Sequence, residues 1–66
     1  MFVEINGERR ELTDGATVPE ALGALDLPGT GVAVAVDGEV VPRAQWGGTA
    51  LADGARVEVL TAVQGG

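Results

Sequence analysis

The chain opens on a strict two-residue alternation. From Met1 to Asn6, Val3 and Ile5 fall on one face and Phe2, Glu4 and Asn6 on the other, the period of a half-buried strand. Asn6-Gly7 follows, the dipeptide best suited to a two-residue hairpin turn. The returning stretch from Glu8 to Leu12 is polar, which predicts an edge strand with Leu12 as its inward anchor. Thr13-Asp14-Gly15-Ala16 is turn chemistry. The period then lengthens, with Val18, Leu22 and Leu25 recurring at helical spacing. Thr17-Val18-Pro19-Glu20 has the form of a capping box with proline where no amide donor is needed, and Pro28-Gly29 predicts the stop after about two turns.

Beyond Gly31, the run from Val32 to Val36 sorts valines to one face and alanines to the other before Asp37-Gly38 turns the chain. Apolar on both faces, it predicts an interior strand. Val40 and Val41 begin a short partner that Pro42 stops, since proline has no amide to donate. Arg43 to Gly48 shows no period and predicts an irregular segment in which Trp46 plugs the core. Asp53-Gly54 turns once more into a strand from Arg56 to Val63, with Val57 and Val59 inward and Glu58, Leu60 and Ala62 outward. A helix on one side leaves the other side open, where Phe2, Ala33, Ala35, Leu60 and Ala62 meet. Leu60, Ala62 and Phe2 are therefore candidate partner contacts. The order strand, strand, helix, three strands predicts an α+β fold of β-grasp type. Residues 1–66 form a single domain, with one main helix on one face of a mixed five-stranded sheet, the last strand internal and paired with the first, and residues 63–66 as an extended tail.

Composition narrows the chemistry more than the fold. At 66 residues the chain is one domain near the lower size limit, able to bury roughly 60% of its unfolded surface. Cysteine, histidine, serine, lysine and tyrosine are all absent. The usual nucleophiles, the usual general base and the usual transition-metal ligands go with them. No catalytic residue, bound metal or bound cofactor is expected, and paired carboxylates such as Asp53 and Glu58, or Asp37 and Glu39, have no evident cleft for hydrolytic work. Ten acidic residues against four arginines give a net charge of −6, the wrong sign for a nucleic-acid partner and the right one for solubility or for a basic partner enzyme. No apolar run approaches the ~20 residues of a membrane helix and the start has no basic leader, so a cytoplasmic location with no membrane partner is expected.

What remains is the end of the chain, where a strand-like run gives way to Gln64-Gly65-Gly66. Most termini are simply unpacked. A Gly-Gly end has a second use, because backbone without a Cβ passes through a narrow channel and brings the α-carboxylate close to a phosphate. Seen together, the first strand with its turn, Gly15-Ala16-Thr17-Val18, Val40-Val41-Pro42-Arg43-Ala44-Gln45-Trp46, Asp53-Gly54 and Gly65-Gly66 resemble the small sulfur carrier proteins of thiamine biosynthesis (ThiS), which share the ubiquitin-like β-grasp fold. The Val-Pro-Arg-x-x-Trp stretch is the most specific piece. The alanine- and glycine-rich middle departs from the family pattern.

The resemblance implies that a partner resembling ubiquitin-activating enzymes adenylates the Gly66 carboxylate with Mg-ATP. Gly65 and Gln64 carry the end into that partner's active site. A sulfur donor, such as a cysteine desulfurase, leads to a thiocarboxylate whose sulfur thiazole synthase takes. Nucleotide and magnesium belong to the partner. Gly-Gly alone also fits ubiquitin-like modifiers and the small subunit of molybdopterin synthase, so a carrier for molybdopterin or cysteine synthesis is an alternative. A β-grasp interaction module, indifferent to loss of Gly65-Gly66, is another.

Overall fold

A computed structural model describes residues 1–27 and 31–61 of the chain. Five strands form one mixed sheet: β1 (Phe2–Ile5), β2 (Glu8–Glu11), β3 (Val32–Val36), β4 (Glu39–Val41) and β5 (Arg56–Thr61), in the order β2-β1-β5-β3-β4. β1 and β5 run parallel, and the other neighbours are antiparallel. The last strand therefore lies in the middle of the sheet beside the first, as the alternation predicts. β2 is an edge and is exposed at every residue.

Both hairpins turn on the dipeptides read from the sequence. Asn6 and Gly7 have φ of 51° and 84°, and Asp37 and Gly38 have 50° and 87°. Two positive values in succession give the turn whose twist matches that of the flanking strands, and Asn-Gly and Asp-Gly reach it at least cost.

The helix α1 (Val18–Ala24) lies over one face, with Val18, Ala21 and Leu22 buried. Its start is the predicted capping box, in which the Glu20 carboxylate accepts from the Thr17 amide at 3.1 Å and from the Thr17 hydroxyl at 3.2 Å. It ends after about two turns, as expected, and local bonding makes the stop. Asp26 takes the left-handed conformation at φ 59°, its amide donates to the Gly23 carbonyl at 3.1 Å, and the Leu27 amide donates to the Leu22 carbonyl at 2.9 Å. This paired bonding closes the helix before the proline is reached. Pro28 and Gly29 lie outside the described residues.

Arg43–Gly48, expected to be irregular, is a 3₁₀ helix. The amide of Gln45 bonds to the Pro42 carbonyl at 2.8 Å and that of Thr49 to the Trp46 carbonyl at 3.2 Å. Such i→i+3 bonding suits a short connector. It drops Trp46 into the core, where the indole N–H donates to the Val41 carbonyl at 2.9 Å.

The core lies between α1 and the sheet: Val3 and Ile5 from β1, Val34 from β3, Val57 and Val59 from β5, closed by Val18, Ala21, Leu22, Trp46, Leu51 and Ala55. Leu12 packs against its rim, as predicted. Among the described residues no polar or charged side chain is buried. None of their helices is long and apolar enough to cross a membrane.

Candidate functional site

The strand that leads toward the chain end is paired on both flanks. On one flank β5 pairs with β3 from Val36↔Val57 through Val32↔Thr61. On the other it pairs with β1 at Glu4↔Arg56 and Ile5↔Val57, with the Glu4 amide bonded to the Ala55 carbonyl and the Asn6 amide to the Val57 carbonyl, both at 2.9 Å. The strand's start is tied as well, since the Asp37 carboxylate accepts from the Arg56 amide at 2.9 Å while the Asp37 amide donates to the Arg56 carbonyl at 2.7 Å. Gly66, Gly65, Gln64 and Ala62, named as functional from the sequence, lie outside the described residues.

The open face is the second element of the site. Cross-strand register places Leu60 opposite Ala33, Glu58 opposite Ala35 and Val40 opposite Ala35. Val40 and Leu60 are 73% and 71% exposed, unusual for large apolar side chains on so small a body, and with Ala33, Ala35 and Glu58 they line a shallow groove of ≈ 120 Å³. Phe2 shares the face but not the patch. It lies at the other end of β5, near Asp53 and Gly54, with the Arg9 guanidinium 4.1 Å from its ring centroid. The apolar cluster anticipated from Phe2 through Leu60 is thus split, because β1 meets β5 at its beginning while Leu60 sits near its end.

Val40 joins this surface without having been singled out. The signal was present in the two-residue period carried across the Asp37-Gly38 turn, which sets Val40 opposite Ala35. Charged side chains fill the face between the two ends: Glu4, Arg56, Glu58 and Asp37 surround a polar depression, with Arg56 Nε 3.9 Å from the Glu4 carboxylate. Among the described residues no three metal-ligating side chains come together.

The five-stranded mixed sheet, with one helix on one face and its last strand beside its first, defines a β-grasp domain of the ubiquitin-like class. The ThiS family model matches residues 3–66, and the chain belongs to that family. It is 32% identical to the sulfur carrier protein ThiS of Escherichia coli over 66 residues, covering the whole of both chains. It is 35% identical over the same length to a thiazole synthase of Paramagnetospirillum magneticum, of which it spans 20%. The crystal structure of the thiamine biosynthesis protein ThiS from Geobacter metallireducens superimposes with a TM-score of 0.76 at 36% identity, with all of both chains covered. The solution structure of a thiamine biosynthesis protein from the same organism gives 0.74 at 36% identity, covering 88% of that chain.

Proposed function

We propose that this chain is a sulfur carrier for thiazole formation in thiamine biosynthesis, and that Gly66 carries the sulfur. The observation that supports it most is the family match running from residue 3 through both terminal glycines. The chemistry follows from what a carboxylate lacks. Its oxygen is a poor leaving group, so a partner enzyme supplied with Mg-ATP converts it to a mixed anhydride: the carboxylate oxygen attacks the α-phosphorus and pyrophosphate leaves. A sulfur nucleophile of sulfide oxidation level then attacks the acyl carbon and expels AMP, leaving a thiocarboxylate. Its sulfur is nucleophilic and is handed to the acceptor.

The acceptor assigned is thiazole synthase. A thiazole synthase polypeptide containing a segment similar to this whole chain supports it, because joining carrier to acceptor raises their effective concentration. A cysteine desulfurase is the primary sulfur donor in this scheme; its persulfide lies two electrons above sulfide, so a thiol reductant releases the outer sulfur as sulfide, itself ending as a disulfide, before that sulfide attacks the acyl carbon. Leu60 and Val40 form the contact for the adenylating partner, with the five residues beyond Thr61 able to reach at most about 17 Å from the sheet. Gly65 and Gln64 carry the chain end into that partner's active site.

Intact mass before and after incubation with the adenylating enzyme, Mg-ATP and a sulfur source tests this, with fragmentation to place any change. Oxidation of Met1 or Trp46 changes the mass by nearly the same amount, so position decides. An oxygen-to-sulfur exchange confined to the last residues, and lost on deletion of Gly66, is the expected result. No exchange, beside a control carrier that is loaded, overturns the function.

A further inference from the structure

β1 ends at Ile5 and its last pairing with β5 is Ile5↔Val57, yet β5 continues to Thr61. On that flank the next rung of a parallel ladder needs an acceptor for the Val59 amide and a donor for the Val59 carbonyl. The main chain cannot supply them, because it turns away at Asn6 into Gly7. The Asn6 side chain supplies both. Its Oδ1 accepts from the Val59 amide at 2.8 Å and its Nδ2 donates to the Val59 carbonyl at 3.2 Å. A carboxamide has the donor and acceptor of a peptide group, so one side chain replaces the missing rung.

Asp37 shows why asparagine stands here. At the second hairpin the Arg56 carbonyl is already satisfied by the Asp37 amide, and only an acceptor for the Arg56 amide is missing. A carboxylate serves. At position 6 a carboxylate would accept from the Val59 amide but set its second oxygen against the Val59 carbonyl. Asp-Gly makes the same turn as Asn-Gly, so the turn alone does not account for the choice.

The end of β5 is thereby held on both flanks, at Val59 by the Asn6 carboxamide on one and by the ladder with β3, which runs through Val32↔Thr61, on the other. Only residues 60–66 lie beyond Val59. Building on the carrier function proposed above, we infer that Asn6 is a positioning residue for acyl activation: its carboxamide fixes the point and direction from which the tail departs, so that a body docked on the adenylating partner delivers Gly66 to the nucleotide. Without it, the end of β5 is held on one flank only and fewer docked complexes are productive.

Three variants test this, each at a position whose positive φ tolerates the new residue. Asn6→Gly keeps the turn and deletes the carboxamide. Asn6→Asp keeps the turn and the acceptor and loses only the donor. Asp37→Gly removes a comparable side-chain bond at the opposite end of β5. The readouts are hydrogen exchange at the Val59 amide, equilibrium affinity for the cognate adenylating enzyme, and kcat for ATP-dependent pyrophosphate release at saturating carrier, all below the melting point of every variant.

The expected result is faster exchange at Val59 in Asn6→Gly, unchanged affinity and a kcat lower by about five- to tenfold, the scale of one to two lost hydrogen bonds. Asn6→Asp falls between it and the parent, and Asp37→Gly keeps the parent kcat. A parent kcat in Asn6→Gly, or an equal fall in Asp37→Gly, overturns the inference while leaving the carrier function standing. A parent chain that is not adenylated at all removes both.

Discussion

Replacing Trp46 with phenylalanine asks whether the most distinctive motif of the chain holds the body together or presents a surface. The indole is 6% exposed and its N–H donates to the Val41 carbonyl at 2.9 Å. Trp46→Phe removes that bond, worth about 1 kcal/mol net, and leaves a half-buried carbonyl short of a partner at a cost of about 1 kcal/mol more. The smaller ring leaves space among Leu22, Leu27 and Arg43, adding roughly 1 kcal/mol at ~24 cal/mol per Å³ of cavity. The sum of about 2–3 kcal/mol is large against the roughly 3–10 kcal/mol that a chain of this length holds. Tm falls by about 10–20 °C, followed by circular dichroism because the substitution removes the only indole. Sulfur loading below the new midpoint keeps the parent rate, since no partner contact is lost. Unchanged melting, or intact melting with loading abolished, would refute the packing role.

Asp26→Gly relieves a left-handed residue and removes an anionic side chain from a helix C-terminus, so it stabilises by about 0.5–1 kcal/mol and raises Tm by several degrees. Gly66→Ala leaves the circular dichroism and the melting temperature unchanged and reduces adenylation sharply; unaltered adenylation kinetics would remove Gly66 from the reaction. Leu60→Asp and Val40→Asp each weaken binding to the adenylating enzyme by about tenfold or more in titration calorimetry, whereas Phe2→Asp, at the other end of the strand, changes it little. Glu4→Gln breaks an exposed 3.9 Å ion pair with Arg56 and shifts stability by less than about 0.5 kcal/mol in urea unfolding.

Much of this fold is legible in period and turn chemistry. Val3 and Ile5, and Val57 and Val59, announce strands with one buried face, and all four are buried. Asn6-Gly7 and Asp37-Gly38 announce hairpins and make them. Three features escape that kind of reading. The 3₁₀ segment over residues 43–48 is too short to show a period and contains two glycines, and it is held by local bonds and by the landing of Trp46. The helix closes after Ala24 through Asp26, whose short polar side chain tolerates the left-handed conformation, a choice of backbone and not of pattern. The open face divides because which strand meets β5 at which end depends on register, which no single segment encodes. At the site, Leu60 was visible as an outward residue on a strand. Asn6 was not, since its turn role fully accounts for its presence until the partner of its side chain is known. Gln64, Gly65 and Gly66 rest on the motif and the family alone.

The position of β5 also decides how the molecule bears load. An enzyme that draws the chain end into its active site pulls β5 along its own axis, while the docked body resists. The hydrogen bonds to β1 and β3 lie across that pull. They are strained in shear and must yield together, unlike those of an outer strand lifted sideways, which break singly in succession. In the carrier cycle proposed above the load falls along β5 and its two ladders resist it in shear, whereas the same sheet pulled from its β2 edge would open like a zip.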